Sequence, residues 1–268
     1  MALGIEALSV YCLPPPRFLE LAARLGAAHI STGLSGADFG QPDYRPWSLR
    51  EDRALLADTR AALAATGVAI ALGEGFALRP ASDPAAWAQD LDLFAELGVP
   101  RINTVVFDPE RNRARDRLGS LAEAAAARGL AVTLELPPTS VVGSLEAGLA
   151  LLEELACPNL SLLLDTMHFA RGGGDPQTLR AVAGRIGYVQ LADSRRAPVG
   201  EDYLEEALYQ RLPPGAGELP LAEILAALPA TLPVSLEVPS RSWFGEAGGV
   251  EDWLAGALAA ARRLLSSR

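Results

Sequence analysis

Eight short runs of aliphatic and β-branched residues recur along the 268-residue chain, and an alanine- and leucine-rich amphipathic segment follows each of them. Strand periodicity that alternates with helix periodicity indicates successive βα units. Such units build parallel sheets, because each helix carries the chain back to the start of the next strand. The predicted strands are residues 5–11, 28–32, 68–72, 101–107, 131–136, 160–165, 187–191 and 234–238.

The helical segments have recognisable ends. Gly26, Gly67, Gly98 and Gly129 follow the first four segments, where glycine commonly terminates a helix. The predicted helices are residues 14–25, 49–66, 83–97, 110–128, 144–156, 176–183, 219–228 and 250–265. Each predicted strand therefore has its own crossover helix.

Eight strand and helix pairs predict an α/β fold, a single (β/α)8 TIM barrel, with residues 1–268 forming one domain. The competing architecture is a doubly wound open sheet, which normally carries a phosphate-binding glycine loop after its first strand. Residues 12–16 read CLPPP and do not form such a loop. The long connections 33–48 and 193–218 are candidates for a lid over the active face of the barrel.

The amino-acid composition excludes several kinds of catalytic and binding site. All 23 basic residues are arginines, so neither a Schiff-base lysine nor the lysine of a P-loop is available. No G-x-S-x-G or G-x-G-x-x-G motif occurs. With two histidines and two cysteines, the chain cannot assemble a local zinc site of four Cys and His ligands.

Charge and cysteine usage indicate the setting of the protein. Cys12 and Cys157 lie in unrelated segments and no signal-like segment precedes the first strand, so we expect a reducing, cytoplasmic environment. A net charge of −10 with scattered arginines argues against nucleic acid as a partner. No apolar run is long enough to suggest a membrane partner.

Polar side chains stand at the ends of four successive predicted strands, where TIM barrels place their active sites. These side chains are Glu135, Asp165 with His168 three residues later, Gln190 with Asp193 three residues later, and Glu237. Buried carboxylates that converge repel one another unless a cation compensates them. Oxygen donors favour a hard divalent ion, so the sequence predicts one Mn²⁺ or Mg²⁺, with Co²⁺ as a possible substitute.

Structural roles remain open for several of these residues. A glutamate at a strand end can instead pair with an arginine, and His168 can be a solvated or capping residue. For His29 on the second strand, a structural role and a functional role both remain open. Asp193 can cap a loop or orient a ligand.

The chain resembles the xylose isomerase-like TIM-barrel superfamily, in particular its sugar phosphate isomerase/epimerase branch. The resemblance covers essentially the whole chain. It rests on the strand-end residues in their order along the chain and on the P-G-x-G loop at 214–217. The multi-zinc endonucleases of the same superfamily need many histidines, which this chain lacks.

The resemblance implies a divalent metal held by Glu135, Asp165, Gln190 and Glu237, with substrate carbonyl and hydroxyl oxygens completing the coordination. It also implies that His168 and Arg211 contact the substrate. Arg195 and Arg196 on the same long loop are further candidates for this contact. The structural alternative for Arg211 is an ion pair with Glu205 or Glu206.

Two positions depart from the epimerase pattern. Gln190 stands where ketose epimerases usually carry histidine, and Ala216 stands at the variable position of P-G-x-G, which is commonly polar. The first departure is shared with the 3-dehydroshikimate dehydratases, although the full set of substrate arginines of those enzymes cannot be placed in this chain.

The function implied is a divalent-metal-dependent isomerase or epimerase of a sugar or a sugar phosphate, that is, of a small polyhydroxylated carbonyl compound. Glu135 and Glu237 would move a proton beside the carbonyl through an enediolate, with His168 as a third catalytic residue. The alternative is a metal-dependent dehydratase of a cyclic polyhydroxy ketone, in which His168 acts as the general acid. A barrel that binds its ligand without turnover, and a homo-oligomer, also remain open.

Overall fold

The computed structural model describes residues 2–41, 44–198, 200–246 and 249–266. Its eight parallel strands follow one another around a closed barrel, in which β1 pairs with both β2 and β8. The predicted (β/α)8 barrel is confirmed. The strands are β1 Leu3–Ile5, β2 His29–Thr32, β3 Ala69–Leu78, β4 Arg101–Val106, β5 Ala131–Glu135, β6 Leu160–Asp165, β7 Ile186–Leu191 and β8 Val234–Leu236.

Helices connect the strands on the outside of the barrel. They are α1 Pro15–Arg24, α2 Arg53–Thr66, α3 Ala88–Glu96, α4 Arg111–Ala126, α5 Leu145–Leu155, α6 Thr166–Arg171, α7 Pro176–Ala181, α8 Tyr203–Tyr209, α9 Leu221–Ala226 and α10 Gly249–Ser266. Within the described ranges, no helix is long and apolar enough to cross a membrane.

Helix α4 illustrates how the sequence directs each helix onto the barrel. The Glu110 carboxylate accepts hydrogen bonds from the backbone N–H groups of Asn112 and Arg113 and so caps the first turn. The apolar face repeats every three or four residues and is fully buried, and its members are Leu118, Leu121, Ala122 and Ala125. Each leucine contributes about 1.5–3 kcal/mol by leaving water.

Two predicted strands differ from the observed ones by more than two residues at one end, and the others agree to within two residues. The prediction for β1 extended to residue 11, but the strand ends at Ile5 and residues 7–10 form a 3-10 helix. The apolar run in the sequence continues past Ile5 because the 3-10 helix is also buried. Over so few residues, the apolar pattern of a strand cannot be distinguished from that of a buried turn.

The other difference is in β3, which continues from the predicted end at residue 72 to Leu78 through a β-bulge. Glu74 and Gly75 together stand opposite Asn103 of β4, and Gly75 has a φ of 111°, which disfavours any side chain there. The bulge redirects Glu74, which lines the cavity at the mouth of the barrel.

The long connection at 193–218 is partly helical, because α8 lies within it. The connection at 33–48 contains an isolated bridge between Ser35 and Ser48, and two of its residues, 42 and 43, lie outside the described part of the chain. Both connections contribute side chains to the cavity described next.

Candidate active site

A cavity of about 470 Å³ opens at the carboxyl-terminal end of the barrel. Five of the residues singled out in the sequence line it: Glu135, His168, Gln190, Arg211 and Glu237. Asp165 is buried and contacts two of them, His168 and Arg211. The fold therefore brings together side chains from β5, β6, β7, β8 and the loop after α8.

Asp165 ends β6 and caps α6. Its Oδ1 accepts a hydrogen bond of 2.8 Å from the backbone N–H of His168, which accounts for the three-residue spacing between the two residues. Its Oδ2 accepts from the Arg211 guanidinium. Burial raises the pKa of Asp165, but the charges of Arg211 and His168 outweigh it and hold the pKa below its ordinary value of 3.8.

Arg211 is almost fully buried and supplies the positive charge between two carboxylates. Its Nε donates to the backbone carbonyl of Ala207 at 2.8 Å, and its Nη1 contacts both Asp165 Oδ2 and Glu237 Oε2, the latter at 2.9 Å. The contact with Glu237 is an ion pair without hydrogen-bond geometry. Burial holds the pKa of Glu237 well above its usual 4.5 although Arg211 opposes the shift.

The ion pairs predicted as the alternative role for Arg211 are made by other arginines. Arg241 contacts Glu205 at 2.6 Å, and Arg171 contacts Glu206. Arg211 therefore acts inside the cavity wall, where its charge compensates strand-end carboxylates.

The His168 imidazole bridges two polar groups. Its Nε2 lies 3.2 Å from Glu135 Oε1, and its Nδ1 is hydrogen-bonded to the Tyr203 hydroxyl from α8. Burial raises the pKa of Tyr203, so the phenol stays protonated at neutral pH. A ring held in this way can relay a proton between Glu135 and the Tyr203 side chain, which also lines the cavity.

Glu135 ends β5 and is oriented by an amide from β4. Its Oε2 accepts a 2.6 Å hydrogen bond from Nδ2 of the buried Asn103, which also donates to Glu74 Oε2 at 3.3 Å. The Thr133 hydroxyl lies 3.3 Å from Asn103 Oδ1 and helps to hold this amide in place. One asparagine therefore holds two carboxylates, Glu74 and Glu135, against the cavity.

Gln190 lies in the interior of the barrel with 1% of its surface exposed. Its Nε2 donates to Glu6 Oε2 at 3.2 Å, and its Oε1 has no hydrogen-bond partner among the described residues. An unpaired buried carbonyl oxygen is costly unless it serves a ligand. The oxygen is therefore available to a cation or to a substrate hydroxyl.

The residues present fit a divalent metal ion. Glu135, Asp165 and His168 each offer a ligand atom, and these atoms lie within 4.8 Å of one another. This set shares Glu135 and Asp165 with the set predicted from the sequence. In the set found by geometry, His168 is the third ligand. In the set predicted from the sequence, Gln190 and Glu237 complete the coordination.

Sequence reasoning missed two neighbouring acidic residues of the site, Glu74 in the cavity wall and Glu6 beside it. Glu6 follows β1 and accepts hydrogen bonds from the Tyr188 hydroxyl at 2.8 Å and from Gln190. Burial raises the pKa of Glu6 and of Glu74, and the charges of Glu6 and Glu135 raise the pKa of Glu74 further. The signal was present in the I-E and L-G-E-G stretches, where a carboxylate interrupts an apolar run.

The remaining candidates lie away from this group. Asp193 caps the P-G-x-G loop, where its carboxylate accepts from the backbone N–H groups of Gly215 and Leu219 at 2.9 and 3.1 Å. Arg195 and Arg196 are exposed and are not among the described residues that line the cavity. His29 begins β2 at the opposite end of the barrel, where burial and the charge of Arg101 lower its pKa to about 4.

Glu74→Gln should stabilise the metal-free protein at alkaline pH. An acid whose pKa is raised on folding contributes stability below its ordinary pKa of 4.5 and loses that contribution as pH rises. Glutamine stays neutral and can donate to Glu6, so we expect Tm to rise by about 2–4 °C at pH 8, or about 1 kcal/mol, and not at pH 4.5. Calorimetric scans at the two pH values test this, and an equal gain at both would contradict it.

Comparison with known proteins gives the family. The model of the xylose isomerase-like TIM barrel family matches residues 19–265. A solved structure of the IOLI protein with a bound zinc atom has a TM-score of 0.82 at 19% identity, covering 100% of this chain and 99% of that one. At this identity the likeness shows the fold alone.

Three curated relatives are similar in sequence. One is a 3-dehydroshikimate dehydratase from Pseudomonas aeruginosa, which is 36% identical over a match that covers 55% of this chain and 24% of the relative. Another is a 3-dehydroshikimate dehydratase from Pseudomonas putida, which is 30% identical over a match that covers 79% of this chain and 35% of the relative. The third is an L-ribulose 3-epimerase from Mesorhizobium japonicum, which is 31% identical over a match that covers 36% of this chain and 34% of the relative. The chain thus matches about a quarter to a third of the length of each. Since the family model covers nearly the whole barrel, the chain belongs to the xylose isomerase-like TIM barrel family.

Proposed function

We propose that the protein is a divalent-metal-dependent isomerase or epimerase that moves a proton beside the carbonyl group of a small polyhydroxylated substrate. One observation carries the proposal. Glu135 and Glu237 reach the same cavity from strands β5 and β8, and His168 contacts Glu135 within it. Two carboxylates that face one ligand from separate strands suit proton removal and proton return.

The metal site of the proposal consists of Glu135, Asp165, Gln190 and Glu237, and the metal is Mn²⁺ or Mg²⁺. When bound, the cation supplies polarisation of the substrate carbonyl, which acidifies the neighbouring C–H bond. The unpaired Gln190 Oε1 and the surplus of carboxylates over cations support this assignment. Arg211 keeps Asp165 ionised and orients Glu237.

The proton transfers are assigned to residues of the chain. Glu135 is held by Asn103 and His168 and takes the proton from the substrate carbon. Glu237, which reaches the cavity from the end of β8, returns a proton to the resulting enediolate. His168, backed by Tyr203, moves a proton on or off a substrate oxygen.

A dehydratase is the second candidate, and two observations favour it. By the resemblance described above, Gln190 stands at a position where this chain is similar to the 3-dehydroshikimate dehydratases, and two of its relatives bear that name. The same first proton removal would then be followed by loss of a β-hydroxyl, for which His168 would be the general acid.

Turnover in deuterium oxide distinguishes the two reactions. Protein loaded with Mn²⁺ is offered ketoses, their phosphates and cyclic polyhydroxy ketones. A recovered isomer with deuterium on the carbon beside the carbonyl supports the isomerase, and an ultraviolet-absorbing product that has lost water supports the dehydratase. An isomer formed without any deuterium would contradict proton transfer with solvent exchange.

Gln190→His should change which metal the site prefers. Imidazole nitrogen replaces an amide oxygen, so we expect the affinity for Co²⁺ or Zn²⁺ relative to Mg²⁺ to rise about tenfold. Gln190→Leu is the matched control and should weaken every metal without unfolding the barrel. Competition titrations measure both variants. Identical metal preference in wild type and Gln190→His would remove Gln190 from the ligand set.

A further inference from the structure

The inner wall of the cavity is rich in hydrogen-bond acceptors. Glu74 and Glu135 both lie against it, and the Asn103 amide that donates to each of them is fully used. Carboxylate oxygens can accept several hydrogen bonds each, so this wall still has acceptor positions to fill. A ligand that presents hydroxyl groups to it supplies the missing donors.

The cavity offers no free positive charge among its described lining residues. Its basic side chains are Arg211, which lies between Asp165 and Glu237, and His168, which lies between Glu135 and Tyr203. A carboxylate or phosphate that does not itself bind the cation of the proposed metal site has no cationic side chain to pair with. It would lie close to the glutamates of the wall, and like charges repel strongly where water is excluded. Away from the cation, the cavity therefore favours uncharged groups on the ligand.

The outer part of the cavity is apolar. Its side chains come from the turn after β1, the connection after β2, the end of β4 and helix α8. They are Leu8, Phe39, Val105, Phe107, Leu204 and Leu208. Leu204 is 52% exposed, which is unusual for a large apolar residue in this protein, and it directly follows Tyr203, which contacts His168. The apolar rim is thus continuous with the polar end of the same cavity.

We propose that the substrate is an uncharged polyhydroxylated ketone that carries an apolar substituent directed at this rim. The hydroxyl groups meet the inner acceptors, and the substituent covers Leu204 and the neighbouring apolar side chains. The inference rests on the proposed function and narrows its substrate class. It separates the substrate from sugar phosphates and from acidic ring compounds such as a dehydroshikimate.

The test measures equilibrium binding of ligands that cannot be turned over. Methyl, butyl and hexyl glucosides are titrated calorimetrically into the Mn²⁺-loaded protein. Full burial of a methylene corresponds to about a fourfold gain in affinity, so a partly open rim should give about twofold per methylene. The hexyl compound should then bind at least tenfold more tightly than the methyl compound.

Two matched variants locate the effect. Leu204→Ser should reduce the hexyl-to-methyl affinity ratio by at least half. Val141→Ser is the control, because Val141 is equally exposed, at 51%, but lines a separate cavity beside α4 and α5. It should leave the ratio unchanged.

Charge selectivity is measured in the same assay with glucose and glucose 6-phosphate, and the phosphate should bind at least tenfold more weakly. The inference is wrong if affinity does not rise with chain length, whether all glucosides bind equally or none binds. It is also wrong if Leu204→Ser and Val141→Ser behave alike, or if the phosphate binds more tightly than glucose. Deuterium incorporation together with a flat alkyl series would preserve the proposed function and remove this inference alone.

Discussion

Glu135→Gln should lower kcat by at least about a thousandfold while the barrel remains folded. The substitution keeps the size of the side chain and an oxygen that can accept from Asn103. It removes the charge that would bind the cation and the base that would take the proton. Loss of a general base alone costs about 10²–10⁴ in rate.

Glu154→Gln is the control for this variant. It makes the same chemical change, but Glu154 forms an exposed ion pair with Arg111 on the outer face of the barrel. An exposed pair contributes about 0–1 kcal/mol, so turnover and Tm should both stay close to wild type. Rates are measured on the substrate found by the deuterium panel. More than a tenth of wild-type turnover in Glu135→Gln would contradict the role given to this residue.

Arg211→Ala should destabilise the metal-free protein by about 3–5 kcal/mol at neutral pH, because it leaves the buried carboxylate of Asp165 without a partner. The folded-state pKa of Asp165 lies below its ordinary value, so the stabilisation from this pair is present above about pH 4 and is lost as pH falls. The deficit should therefore shrink in acid. It should also shrink with saturating Mn²⁺, because the metal replaces the missing charge.

Arg241→Ala provides the control, since Arg241 is about half exposed and pairs with Glu205 in the same region of the fold. Its unfolding free energy should change by about 1 kcal/mol or less. Urea denaturation with and without Mn²⁺ measures both variants. A deficit in Arg211→Ala that metal does not reduce would show that Arg211 and the cation do not compensate the same carboxylates.

The repeating strand and helix pattern was enough to predict the barrel, because each element has to bury one apolar face and the chain supplies eight such pairs. The strand-end positions of Glu135, Asp165, Gln190 and Glu237 also follow from the sequence, since each interrupts or ends an aliphatic run. In the structure these residues surround one cavity or contact its lining.

Other parts of the site depend on contacts that a single sequence does not reveal. Glu74 lines the cavity from the bulge in β3, which lies beyond residue 72, where the predicted strand ended. Tyr203 reaches His168 from a helix inside a connection that was predicted only as a possible lid. The hydrogen bond from Gln190 to Glu6 spans 184 residues and joins β7 to the residue after β1, two strands that are not neighbours in the barrel.

Anomalous diffraction from crystals soaked in Mn²⁺ tests the central claim most directly. We expect one strong peak per chain, at roughly 2.0–2.4 Å from oxygens of Glu135, Asp165, Glu237 and Gln190. No peak in this cavity, or a peak coordinated by Glu135, Asp165 and His168 with Gln190 Oε1 beyond bonding distance, would contradict it.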